Sequence, residues 1–253
     1  MNAKDNSRGM SLPSLLSGNP YPGRGIALGL TPDGMQAVAV YFIMGRSFNS
    51  RNRIFAQTED GIRTQAFDES LMEDPSLIIY RAVRALGGAG TPFGGRRLIV
   101  TNGDQTNTVY DGLLKGMSFE ESLAGRTFEP DAPNYTPRIS GVMAIDSTEV
   151  AYKLGILKTL NGDPSKECRQ FYNYSPVEPG IGHFISTYVT DGDPLPSFEG
   201  APKEIVIPED VENWAEEIWQ ALDPDNRVAL YVRAEELRGD KAVWECLINA
   251  HEA

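Results

Sequence analysis

The chain has 253 residues, 41% of them hydrophobic, a net charge of −12 and a sequence pI near 4.7. That length buries a full core as one large domain or two small ones. The acidity argues against nucleic acid or an anionic membrane as the main partner, because both reward a basic face. The two cysteines, Cys168 and Cys246, lie far apart without metal-ligand spacing. No run approaches transmembrane length, and the first twenty residues hold no apolar core of the signal-peptide kind. The expectation is a soluble cytoplasmic protein in a reducing compartment.

Residues 1–18, rich in Ser, Gly and Asn, read as a flexible N-terminal extension. Residues 19–253 read as one domain, since no repeat and no linker divides them. Asn19–Gly25 leads into a strand at Ile26–Leu30, Pro32-Asp33-Gly34 turns the chain, and Gln36–Met44 pairs back as a hairpin. After a polar loop, Arg53–Thr58 is a further strand closed by a turn at Glu59-Asp60-Gly61. Asp74–Leu86 fits strand and helix equally. The glycine-rich 87–95 breaks the chain, Arg97–Thr101 is a strand, and Thr101–Thr108 leads into a helix near Val109–Leu114. A second helix starts at Ser118, with Ser118 and Glu121 at capping-box spacing.

Phe128–Ile139 is a proline-punctuated loop, followed by strands at Ile139–Ile145, Glu149–Thr159 and Glu167–Tyr174. Pro179–Gly200 holds one strand between Gly and Pro loops. The clearest helical period is Val211, Trp214, Ala215, Ile218 and Leu222. Arg227–Arg233 is the last strand, and the tail is mixed. Strands come in runs and outnumber helices, which favours α+β layers over a doubly wound parallel sheet.

The charge is unevenly spread. With 35 acids in the chain, residues 6–58 contain one, Asp33, against Arg8, Arg24, Arg46, Arg51 and Arg53. Between the apolar runs ending at Met44 and starting at Ile54 lie Arg46, Ser47, Asn49, Ser50, Arg51, Asn52 and Arg53. Guanidinium forks beside hydroxyls and amides suit phosphate or carboxylate. The alternative is a solvated turn whose arginines pair with acids elsewhere.

Several common catalytic signatures are absent: a Walker loop, a GxGxxG after a strand, and a GxSxG elbow. The only histidines are His183 and His251, and the carboxylates lack EF-hand spacing. This points to chemistry without metal, nucleotide cofactor or covalent intermediate. Polar loops remain. Asn102 follows a strand and precedes a helix, where amides face a ligand or where Asp104 simply caps the helix. Glu129 and Asp131, in a proline loop near Arg138, are candidates for a general base or a substrate contact, or are solvated acids. Tyr80, in an apolar run, and His183, between Gly182 and Phe184, each read as packed residues or ligand contacts.

YPGRG at 21–25, GRSFNSRNR at 45–53, Tyr80, VTNGDQTNT at 100–108 and the loop from Glu129 to TPRI ending at 139 occur in that order. Together they resemble the archaeal-type IMP cyclohydrolases over roughly residues 20–200. The resemblance implies a four-layer αββα sandwich like that of the N-terminal nucleophile hydrolases. It also implies closure of 5-formamidoimidazole-4-carboxamide ribotide to inosine monophosphate, with no metal or cofactor and with homo-oligomers expected. Carried over by motif, Arg46, Tyr80 and Glu129 are catalytic. Arg24, Ser47, Arg51, Arg53, Asn102, Asn107, Arg138 and His183 are substrate-binding candidates.

The chain departs from the family pattern in places. About twenty residues precede its first strand. One extra residue in the basic loop makes Arg51 and Arg53 compete for one role. The segment Pro179–Gly200 and the acidic C-terminal region have no secure counterpart. No superfamily nucleophile is evident, since Ser11 would need processing to be exposed. A nucleotide-binding protein without turnover and an amide hydrolase of the N-terminal nucleophile type are the alternatives.

Overall fold

The computed structural model describes residues 9–72, 78–87, 94–146, 149–238 and 242–252. A two-residue strand β1 (Met10–Ser11) runs into helix α1 (Leu12–Leu16), then strands β2 (Arg24–Leu30) and β3 (Gln36–Met44). One helical turn, α2 (Phe48–Arg51), precedes the hairpin β4 (Arg53–Thr58) and β5 (Gly61–Ala66). Strands β6 (Arg81–Gly87) and β7 (Arg96–Thr101) lead to helices α3 (Gln105–Leu114) and α4 (Phe119–Ser122). Then come β8 (Arg138–Ile145), β9 (Val150–Leu160), β10 (Asp163–Tyr174), β11 (Ile181–Ser186) and β12 (Lys203–Val206). Helix α5 (Val211–Ala221) and strands β13 (Arg227–Glu236) and β14 (Ala242–Asn249) complete the chain.

The strands form two seven-stranded sheets, ordered β1-β12-β11-β2-β3-β13-β14 and β10-β9-β8-β7-β6-β5-β4. Every pairing is antiparallel except β1 with β12. Side chains alternate across a strand, and β3 shows what that does here. Ala37, Ala39, Tyr41 and Ile43 join the core between the sheets, with Phe55, Leu98, Ile139, Met143 and Leu154 from the second sheet. Val38, Val40, Phe42 and Met44 point the other way, onto Leu12 and Leu16 of α1 and Trp214 and Ile218 of α5. A strand covered on both faces must be apolar on both, and so β3 reads as an unbroken apolar run. Val109, Phe119 and Leu123 of the α3–α4 region cover Ile99 and Val142 of the second sheet.

The apolar stripe read at Val211–Leu222 is buried, and Asp210 caps its helix by accepting from the Asn213 N–H at 3.0 Å. The capping box at Ser118 is present: Ser118 Oγ accepts from Glu121 N at 3.1 Å, and Ser118 N donates to Glu121 Oε2 at 2.7 Å. The β3 and β4 boundaries coincide with the sequence reading.

Other readings are corrected. The loose extension does not run through 9–18, because α1 forms there with Leu12 and Leu16 wholly buried; 1–8 lie outside the described residues. The ambiguous 74–86 stretch resolves as strand from Arg81, while 74–77 of it and 88–93 of the glycine-rich segment fall outside the described residues. Strands β5, β12 and β14 were not expected. Asp104 makes no cap bond to α3; its carboxylate pairs with Arg126 at 2.8 Å and Arg138 at 2.9 Å, and two guanidiniums outcompete a backbone N–H. No helix among the described residues is long and apolar enough to cross a membrane.

Candidate active site

A cleft of about 220 Å³ opens where β2 begins and β3 ends. It is lined by Tyr21, Arg24, Arg46, Ser47, Ser50, Arg53, Asp131, Asn134, Thr136, Tyr188 and Leu195. Gly23, at φ +79°, lets the chain pass under Tyr188, where a Cβ would sit 2.5 Å from the ring. Arg24 is then fixed by its N–H to Thr187 Oγ1 at 3.1 Å. Past β3, the Ser50 carbonyl packs against Gly45 so closely that a Cβ would lie 2.6 Å from it. Ser47 caps α2, with Ser50 N donating to its Oγ at 3.1 Å and Ser47 N donating to Ser50 Oγ at 2.9 Å. The turn delivers Arg53 into the interior, where Nε donates to Ser50 O at 2.7 Å and Nη2 to Met44 O at 3.2 Å.

Glu129 arrives from the proline loop. Its N–H donates to Thr136 O at 2.9 Å, and Asp131 folds the loop by accepting from Thr136 N at 2.7 Å. Tyr80 is held at the start of β6 by its N–H to Thr64 Oγ1 at 2.9 Å. Its hydroxyl lies 2.8 Å from that of Tyr41. Tyr188 stacks on Tyr21 and meets Thr136 Oγ1 at 2.6 Å.

Burial makes the charges here expensive. Glu129 is 2% exposed and its carboxylate is 3.9 Å from the Arg24 guanidinium. Desolvation raises the Glu129 pKa, with Arg24 and then Arg138 opposing it. Burial pulls Arg24 down, but Glu129 and the phenols of Tyr80, Tyr188 and Tyr21 outweigh it, and its pKa rises. Arg53 moves the other way, lowered by burial and by Arg24.

Among the described residues, buried Arg24 Nε, Arg53 Nη1 and Glu129 Oε1 have no hydrogen-bond partner. Each unsatisfied buried polar atom costs about 1–3 kcal/mol or more. Three at one place is the pattern of a site complementary to a small polar ligand.

The sequence candidates divide. Arg24, Arg46, Ser47 and Arg53 line the cleft, with Glu129 and Tyr80 against Arg24. Arg46 is half out in solvent, pairing with Asp191 and Gly192 O and lying 5.1 Å from the centre of the Tyr21 ring. Arg51 is spent on Gly45 O at 3.0 Å and Asn226 Oδ1 at 3.2 Å; Arg53 is the arginine of the pair that enters the cleft.

Asn102 is wholly buried and serves the backbone, donating to Pro137 O at 2.8 Å and accepting from Ile139 N at 2.9 Å. Asn107 is exposed and accepts from Arg84. Arg138 sits one layer back, on Gln105 Oε1 at 2.7 Å and Asp104, and reaches Glu129 only electrostatically. His183 is elsewhere, stacked on Tyr174 at 3.6 Å and bonded through Nδ1 to Tyr152, with burial lowering its pKa to about 4. Ser11 lies on the edge strand β1, outside the cleft lining.

Sequence reasoning missed Tyr21, Tyr41, Thr136, Asn134, Tyr188 and Leu195. The aromatic residues look like core in the sequence, and nothing local marks them otherwise.

A larger cavity, about 510 Å³, lies at the opposite end of the strands, lined by Arg81, Arg84, Arg96, Arg97 and Arg233. Its arginines are bound into an ion-pair lattice: Asp60 takes Arg81 and Arg84, and Glu235 takes Arg96 and Arg233. Among the described residues no group of three or more His, Cys, Asp or Glu side chains is placed to hold a metal. Unpaired buried polarity, rather than size, singles out the smaller cleft.

The fold and cleft thus define a two-sheet α+β protein with an arginine-lined open cleft that has a buried carboxylate and phenol beside it. The model of the family described as IMP cyclohydrolase-like protein matches residues 21–241, most of the chain, and the chain belongs to that family. That span includes every cleft-lining residue. No curated protein matches the chain in direct sequence comparison.

Proposed function

We propose that the chain is an IMP cyclohydrolase, closing 5-formamidoimidazole-4-carboxamide ribotide to inosine monophosphate with loss of water. We further propose that its sheets and helices are the four-layer αββα sandwich of the N-terminal nucleophile hydrolases. The observation that carries the reading is the buried Arg24–Glu129 pair with Tyr80 and Arg53 beside it, in a chain of this family.

The reaction asks mainly for positioning, because nucleophile and electrophile are parts of one molecule. The new C–N bond forms as the carboxamide nitrogen attacks the formyl carbon and the C=O opens. Glu129 takes the proton from the attacking nitrogen; the raised pKa that burial gives it makes it a better base. Tyr80 gives its proton to the formyl oxygen while Arg24 and Arg53 offset the charge gathering there. Glu129 then protonates the departing hydroxyl, which leaves as water. The formamide nitrogen's proton returns to the Tyr80 oxygen, and the ring C=N is left behind. Arg46 and Ser47, at the outer rim, grip the anionic end of the ribotide.

Ultraviolet spectroscopy of the protein with the formamido ribotide tests this. Wild type is expected to form the product, and Glu129→Gln to lose about 10²–10⁴ in kcat. Folded wild type that binds the ribotide without turning it over would favour a nucleotide-binding role instead.

A further inference from the structure

Tyr41 is used by no step above, yet its hydroxyl is hydrogen-bonded to a side chain that is. It lies on β3, wholly buried, with its ring stacked on Phe55 at 5.4 Å between centres. Phe55 is itself clasped by Asn249 of β14, which accepts from Phe55 N at 2.7 Å and donates to Phe55 O at 3.1 Å. Full burial against Phe55 leaves the Tyr41 ring little freedom to turn. Among the described residues, the hydroxyl of Tyr41 has one hydrogen-bond partner, the Tyr80 hydroxyl at 2.8 Å.

Two hydroxyls at that distance share one proton between them. If Tyr80 were the donor, the proton of Tyr41 would be enclosed with nothing to bond, and an unsatisfied buried donor is costly. If Tyr41 donates, the Tyr80 proton is the one left over. Among the described residues it too has no other partner, but Tyr80 is the hydroxyl that shares the neighbourhood of the cleft arginines Arg24 and Arg53, where a bound ligand can accept it. The charged groups close to Tyr80 are Arg24 and Arg53, and Glu129 is the carboxylate beside Arg24.

We infer that Tyr41 is a positioning residue: it donates to the Tyr80 oxygen and so directs the Tyr80 proton into the cleft. The geometry stands alone; its consequence for turnover rests on the cyclohydrolase reading. As Tyr80 gives up its proton to the formyl oxygen, its own oxygen gains negative charge. A hydrogen bond to the charged form stabilises it. Burial, with Tyr80 alongside, keeps the Tyr41 proton in place well above the usual phenol range, Arg24 and Arg53 opposing.

A double-mutant cycle with Tyr41→Phe and Tyr80→Phe tests the inference. Tyr41→Phe is expected to lower kcat by roughly tenfold to a hundredfold, the worth of one hydrogen bond to a charge-bearing oxygen, with KM nearly unchanged. In the Tyr80→Phe background it is expected to do nothing further. A full additive loss in the double variant, or a loss confined to KM, would overturn the assignment.

Proton NMR with ring-labelled tyrosine provides a readout that needs no turnover. A slowly exchanging hydroxyl proton is expected on Tyr41, close to the Tyr80 ring, and absent from Tyr41→Phe. Finding the shared proton on Tyr80 instead would reverse the donor and sink the proposal. If wild type makes no product, the cyclohydrolase reading fails while this spectrum still decides the direction of the bond.

Discussion

Glu129 carries two opposed effects that a pH series separates. Desolvation raises its pKa while Arg24 and Arg138 pull it back, and the net direction is up. A carboxyl whose folded pKa exceeds its unfolded value holds its proton more tightly when folded. Stability from that source is present at low pH and is lost as pH rises from the ordinary carboxylate value, about 4.3, through the raised folded value. Glu129→Gln does not titrate. Its stability relative to wild type, from urea unfolding, is therefore expected to improve as pH rises from about 4 to about 8; a difference that stays flat would mean the carboxyl is not perturbed.

The same position shows what could be read from the sequence. Its proline loop and the basic island around Arg46–Arg53 stand out against an acidic background, because charge contrast survives without coordinates. Which way a side chain faces does not. Asn102 and Asn107 look like ligand contacts, yet one satisfies loop backbone and the other meets Arg84. Tyr21, Tyr41 and Tyr188 look like core and are core, yet their phenols also act on the two arginines.

A strand covered on both faces announces itself as a continuous apolar run, and for that reason β3 is legible to the residue. Strand β4, at the rim of the second sheet, is legible from the basic loop before it and the Glu59-Asp60-Gly61 turn after it. Helix α5 was legible because its stripe spans three turns. Strand β14 at a sheet rim, and the largely exposed β12 with only the two-residue β1 outside it, lack that double covering and merge with loop sequence. Helix α1 has barely one turn and two inward leucines, too few positions for a period to show. Yet Leu12 and Leu16 pack against α5 over the first sheet, the face opposite the inter-sheet core. Leu16→Ala is expected to destabilise the protein by about 2–5 kcal/mol, the range for a buried leucine replaced by alanine. Urea unfolding checks this; a loss below about 0.5 kcal/mol, typical of a surface change, would return this stretch to the loose extension that its composition suggests.

The chain as a body carries a charge of −12, and on the cyclohydrolase reading it must still attract an anion. Far from the protein an approaching ribotide would meet net repulsion; inside the cleft it would meet Arg24, Arg46 and Arg53. The two fields have different reach, and salt separates them. At about 0.01 M ionic strength the Debye length is about 30 Å, comparable with the size of the whole domain, so the repulsion is felt before the cleft is reached. At about 0.1 M it falls to about 10 Å, which removes most of the distant repulsion while contacts between the substrate and partly buried arginines are screened much less. Further salt then weakens the contact at the exposed rim, where Arg46 already shares its guanidinium with Asp191. The value of kcat/KM is therefore expected to rise between about 0.01 and 0.1 M salt and to fall beyond it. Arg46→Gln is expected to keep the rise and flatten the fall, since it removes the rim contact while the net charge goes only from −12 to −13. A steady decline from the lowest salt in wild type would mean that the local cationic field reaches further than the charge of the whole protein, and the rim would then be the main guide for the substrate.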